Sequence, residues 1–130
     1  MAQLEVQLAE QRDTVALLTS AGVRVVDLAG QGTTVQASGR IFWDRQQMRW
    51  LFSVRNLPPA DADKDYQLWF VPKSGNPINA RVFNTAADGS LSIEVPVPNE
   101  AVDLKAAAVT IEPRGGRPQP TGPFALLGAM

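Results

Sequence analysis

The sequence contains no cysteine and no histidine among its 130 residues. Their absence removes the Ser-His-Asp and Cys-His nucleophiles, the zinc finger and the redox dithiol from consideration. A metal could be held only by a hard-cation site of Asp and Glu oxygens. A dominant charge is also lacking. Twelve basic side chains face 13 acidic ones, a net charge of −1, so there is no electrostatic reason to expect nucleic acid or an anionic membrane as partner. No run approaches the roughly 20 apolar residues of a membrane span. The N-terminus also lacks the charged start and apolar core of a signal peptide. At 45% hydrophobic and 19% charged, the chain reads as globular rather than disordered, and its length suits one domain with its own core.

Residues 1–21 contain no Gly or Pro and carry Leu4, Leu8, Val15 and Leu18, with Gln11 in the remaining slot. The spacing of 4, 3, 4 and 3 is a heptad seam, and Gly22 follows where a helix would terminate. This predicts one α-helix. A seam under three heptads long can pack on its own domain or pair two copies through residues 4–18.

Beyond Gly22 the period changes to two. Met48, Trp50, Phe52 and Val54 alternate with Arg49, Leu51, Ser53 and Arg55. Tyr66, Leu68 and Phe70 oppose Gln67, Trp69 and Val71, and Val109 and Ile111 alternate with Thr110 and Glu112. Alternation of this kind marks strands with one face on a core. Asp44-Arg45-Gln46-Gln47 reads as a tight reversal and Asp88-Gly89 as a hairpin cue, while Pro58-Pro59 and Pro77 end other runs. The expected fold is mainly β: an antiparallel β-sandwich of seven to eight strands over residues 22–130, carrying an N-terminal helix over residues 1–21.

Seven of the eleven residues from Pro113 to Pro123 are Gly or Pro, yet Phe124-Ala125-Leu126-Leu127 follows as a last strand. An ordered crossing loop, packed close over a sheet and needing positive φ at glycine, accounts for this composition. Arg114 and Arg117 flank a diglycine that could also form an anion-binding nest. Asp61, Asp63 and Asp65 begin like a calcium loop, but Tyr66 and Pro72 stand where Gly and Glu would be required. Gly30-Gln31-Gly32 lacks the third glycine of a dinucleotide fingerprint, which leaves a flexible loop. No spacing singles out a carboxylate pair for catalysis. Trp43, Trp50 and Trp69 could line a sugar-binding groove, but on alternating strands they are expected in the core.

Several ordered pieces carry a resemblance. They are Ser38-Gly39-Arg40-Ile41-Phe42-Trp43-Asp44, Asn56-Leu57-Pro58-Pro59, Tyr66-Gln67-Leu68-Trp69 and Asp88-Gly89, followed by Val109-Thr110-Ile111-Glu112-Pro113-Arg114-Gly115-Gly116 and Pro118-Gln119-Pro120-Thr121-Gly122-Pro123. Together they closely resemble the C-terminal, extracytoplasmic domain of the anti-sigma-K factor family. The resemblance implies a regulatory domain on the periplasmic side of the bacterial inner membrane, part of a single-pass anti-sigma factor. Residues 1–21 would be a stalk leading to a membrane helix outside this chain. Sigma-factor release would follow stepwise proteolysis begun by an extracytoplasmic protease. The sigma factor itself would bind a cytoplasmic domain that this chain does not contain.

No catalytic, cofactor-binding or metal residue is expected on this basis. Trp43, Tyr66, Trp69, Glu112, Pro113, Gly115, Gly116, Pro120, Thr121, Gly122 and Pro123 would carry the family pattern, in structural or regulatory roles. The alternative is a ligand- or carbohydrate-binding β-sandwich, which should leave at least one of the three tryptophans exposed beside a cleft.

Overall fold

The computed structural model describes residues 23–101 and 103–130. The predicted helix over residues 1–21, with its seam, lies outside the described residues. Among the described residues there is no α-helix, only two short 3-10 turns at Gly32–Thr34 and Asn99–Ala101. Eight strands follow one another: β1 (Val23–Gly30), β2 (Ser38–Asp44), β3 (Arg49–Arg55), β4 (Lys64–Pro72), β5 (Ile78–Phe83), β6 (Leu91–Pro96), β7 (Leu104–Pro113) and β8 (Phe124–Ala129).

The expected sandwich is corrected to a barrel-like sheet. All eight strands belong to a single antiparallel sheet in the order β5-β4-β7-β8-β1-β2-β3-β6, and the edge strands β5 and β6 come near each other. The join between its halves is a short ladder, Ala29 opposite Leu127 and Gly30 opposite Leu126. Glycine permits this close approach, because a Cβ on Gly128 would stand 2.4 Å from the Asp27 carbonyl oxygen. Rolling one sheet satisfies the same alternation as stacking two, since each strand still has one face inside.

The interior is built from the predicted faces. Trp50, Phe52 and Val54 on β3 are buried, as are Tyr66, Leu68 and Phe70 on β4 and Val109 on β7. Trp50 lies edge-on to Phe70 at 4.5 Å and to Trp43 at 6.3 Å, and Phe52 meets Phe83 at 5.5 Å. Each of the fully buried Trp50, Phe52 and Phe70 contributes about 1.5–3 kcal/mol by leaving water. The ion pairs Arg40–Asp27, Arg49–Glu94 and Lys73–Asp103 lie on the exposed surface and add little.

The turns follow their chemistry, with one change of role. Asp44 Oδ1 accepts from the backbone N–H groups of Gln46 and Gln47, which closes the β2–β3 reversal. Asp88-Gly89 is a genuine turn, with Gly89 at φ 81, but it makes no hairpin. It lies on the connection between β5 and β6, which pair with β4 and β3 rather than with each other. The Gly89 carbonyl instead accepts from Leu57 N–H, docking the turn on the Leu57-Pro58 corner. Gly30, read as part of a flexible loop, ends β1, and Gly32 opens a 3-10 turn held by Thr34 Oγ1 on the Gln31 and Ala125 carbonyls.

Candidate functional site

Along β4 and β7 several outward-facing residues are also buried. Asp65 pairs with Glu112, Gln67 with Thr110 and Trp69 with Ala108 across the ladder. Gln67, Trp69, Thr110 and Glu112 are 0–1% exposed, although they point away from the barrel interior. Residues 114–123 cover them as a strap between β7 and β8.

Polar groups of β4 and β7 fasten the strap along its length. Asp65 Oδ2 accepts from Gly115 N–H at 2.9 Å. Gln67 uses both ends of its amide: Oε1 accepts from Arg117 N–H, and Nε2 donates to the Arg117 carbonyl and to Asn79. Gly115 and Gly116 adopt φ +89 and +82, and a Cβ on Gly116 would stand 2.5 Å from Val82 Cγ2. The positive-φ requirement read from the diglycine is therefore met. The nest does not await an anion, because its amides are already spent on Asp65, Pro113 and Gln67.

Glu112 is the centre of this arrangement. Its Oε2 accepts from Thr110 Oγ1 and from the N–H groups of Thr121 and Gly122. Its Oε1 accepts from Thr121 Oγ1 and again from Thr121 N–H. Burial works against the charge, but the bonds from Thr110, Thr121 and Gly122 outweigh it and hold the carboxyl below its ordinary value. Trp69 completes a relay, donating its indole N–H to Thr110 Oγ1 at 2.8 Å, whose own hydroxyl donates to Glu112. Removing that first link by Trp69→Phe should cost about 1 kcal/mol, read as a lower urea midpoint at unchanged slope.

The structure thus brings together nine of the family-pattern residues. Glu112, Thr121 and Gly122 meet directly, and Trp69 joins them through Thr110. Pro113 accepts from Gly116 N–H, Gly115 binds Asp65, and Pro123 accepts from Ile111 N–H at 3.0 Å. Pro120 lines the adjoining groove. Trp43 and Tyr66 belong elsewhere, in the barrel interior. The Tyr66 hydroxyl donates to the Pro58 carbonyl, and burial followed by the nearby Asp61 charge pushes the phenol up. Trp43 and Trp50 have buried indole N–H groups with no partner among the described residues. Sequence reasoning missed Asp65, Gln67 and Thr110 as members of the site. The signal was present, since period two puts them on the same faces as Trp69 and Glu112.

Beside the strap lies an apolar groove of about 200 Å³ lined by Trp69, Val71, Pro77, Ala106, Pro120 and Leu127, among others. Its walls on β8 include Phe124 and Leu127, which are 50% and 38% exposed. All three tryptophans are at most 5% exposed, so none stands free as a sugar platform. No group of three or more metal-ligating side chains occurs among the described residues, Asp61, Asp63 and Asp65 included. No described helix is long and apolar enough to cross a membrane.

Compared with known families, residues 1–124 match the one described as anti-sigma-K factor rskA, C-terminal. Neither the curated proteins nor the solved structures yielded a match.

Proposed function

This chain belongs to the anti-sigma-K factor C-terminal family, and on that premise we propose that it is the extracytoplasmic regulatory domain of a single-pass membrane anti-sigma factor. In this reading the barrel does no chemistry. It governs whether an extracytoplasmic protease reaches the N-terminal segment, and so whether the sigma factor held elsewhere in the protein is released.

One observation carries the reading. Residues 1–22 run directly into β1, and β1 is hydrogen-bonded on both sides, to β2 over seven residue pairs and to β8 over two. A change at the segment is therefore felt at the centre of the sheet, and a change in the sheet is felt at the segment. The strap supports the same view, because its polar groups are consumed in holding the fold together rather than left open to a substrate. The carbohydrate-binding alternative has lost the exposed tryptophan on which it depended.

The test is to replace residues 23–130, in the membrane-anchored protein, by an unrelated folded domain. Cleavage is followed by immunoblot and release by sigma-dependent transcription. Cleavage should become independent of the inducing condition. Unaltered inducible cleavage after the replacement would sink the proposal.

A further inference from the structure

The groove beside the strap follows the outward side of β7, and two irregularities of the sheet shape it. Val71 stands opposite Ala106 and Pro72 opposite Leu104, which leaves Lys105 as an extra residue without a partner on β4. Strict alternation from the outward Ala106 and Ala108 would turn Lys105 into the barrel. Leu104 is buried there instead, and the bulge lets the exposed Lys105 line the groove. On β8, Leu126 stands opposite Val109 and Phe124 opposite Thr110, so Ala125 is the extra residue. Alternation from the outward Leu127 would turn Phe124 inside. With Ala125 and Leu126 both in the core, Phe124 comes out into the groove, 50% exposed. Bulges re-aim side chains and are over-represented beside functional sites. Two neighbouring strands each carry one here, and both deliver a residue to the same groove.

These two residues define its length. From Lys105 to Thr110, which Phe124 faces, is roughly 15 Å of strand. Between them Ala106 and Ala108 form a floor of methyl groups, flanked by Val71 and Trp69 on β4 and by Leu127 on β8. The Trp69 indole N–H is taken by Thr110, so the Lys105 ammonium is the one side-chain charge the lining residues bring. Among the described residues no carboxylate pairs with Lys105, and its neighbour Asp103 is engaged by Lys73 at 3.3 Å. The groove's volume of about 200 Å³ is below the roughly 300–1,000 Å³ of sites for drug-sized molecules, which suits one narrow chain rather than a ring system.

We propose that this groove binds a medium-chain fatty acid, its tail lying over Ala106 and Ala108 toward Phe124 and its carboxylate at the Lys105 ammonium. A lysine that lays its stem along an apolar wall keeps its charged head at the mouth, where a carboxylate can meet it. An apolar peptide fits less well, because its backbone N–H and C=O groups would lose water with no polar side chain to receive them. The proposal goes beyond the regulatory reading above and does not rest on it.

The test uses the full chain and decanoate below its micellar concentration, with calorimetry for affinity and NMR for location. Binding should saturate, with the largest shifts at Ala106, Ala108 and Leu127. Decanol, the same tail without the charge, should bind about tenfold more weakly. Lys105→Met keeps an apolar stem and removes the ammonium. It should weaken decanoate about tenfold and leave decanol unchanged, which separates ion pairing from packing. Ala106→Leu fills the floor and should abolish binding of both ligands while the thermal transition persists. If Ala106→Leu does not fold, Lys105→Met at an exposed position still decides the matter. Absence of saturable decanoate binding, shifts centred away from the groove, or equal affinity for decanoate in Lys105→Met overturns the proposal. So does sedimentation with phosphatidylglycerol vesicles without binding of decanoate, which would make the groove a contact for a membrane surface.

Discussion

Replacing Glu112 with Gln is expected to cost the barrel about 3 kcal/mol of folding stability, and to lower its Tm by roughly 10 °C. The volume is nearly unchanged, so packing is not the cause. The carboxylate accepts from two hydroxyls and two backbone N–H groups with both oxygens. An amide offers one acceptor oxygen, and in place of the other it presents hydrogens to groups that are themselves donors. With the amide oxygen in the Oε2 position, the Thr121 hydroxyl loses its acceptor, and Thr121 N–H, Gly122 N–H and the buried Thr110 hydroxyl keep only a neutral, weaker one.

The same substitution changes the response to acid. The folded carboxyl is held below its ordinary value of 4.5, so on acidification the unfolded chain binds the proton first. The stability from Glu112 is therefore fully present above 4.5 and lost as pH falls below it through the folded value. Glu112→Gln should flatten the acid limb of a stability-against-pH curve. Some slope remains, because hydrogen bonds from Ser90 also hold Asp88 below its ordinary value. A variant whose acid limb superimposes on that of the parent would show that Glu112 is not the group responsible.

Gly122→Ala should be at least as damaging, at about 3–4 kcal/mol, for a purely steric reason. A Cβ at this position would lie 1.7 Å from the Ile111 carbonyl oxygen and 2.8 Å from its carbon. Those are backbone atoms held within the β4–β7 ladder, where Ile111 stands opposite Tyr66, and cannot swing aside. The strap has to lift, which breaks the Thr121 and Gly122 bonds to Glu112 and the bond from Ile111 N–H to the Pro123 carbonyl. Amide exchange at Ile111, Thr121 and Gly122 should rise well beyond any change at Trp50 or Phe52. Gly75→Ala is the control. That glycine has φ +93 but nothing within 4 Å of a Cβ, so it should lose only the about 1 kcal/mol of a strained turn.

Much of the local structure could be read from the residues. The inward faces of β3 and β4 follow from alternation at Trp50, Phe52, Val54, Tyr66, Leu68 and Phe70. The strap follows from a Gly- and Pro-rich run with a strand behind it. Two features could not be read this way, each for a physical reason. Alternation is the same whether two sheets stack or one sheet rolls, so it could not choose the barrel. Alternation also assigns Glu112 and Thr110 to the polar face without saying whether water reaches that face. What covers them is a loop whose contacts with Asp65 and Gln67 span fifty positions of sequence. The hairpin reading of Asp88-Gly89 went astray similarly, since turn chemistry specifies a reversal and not which strands pair on either side of it.

The adjacency of β1 and β8 has a kinetic consequence. The first described strand finds one of its two neighbours only when the last has formed, since Gly30 stands opposite Leu126. Completing the sheet therefore means closing nearly the longest loop among the described residues. Folding belongs to the millisecond-to-second class of non-local β topologies rather than to the fast local folders. A nascent copy emerging from its N-terminal end would hold β1 and β2 with one flank bare until the final strand arrived. During that interval the unfinished sheet would offer chaperones and proteases the edge that the completed barrel conceals.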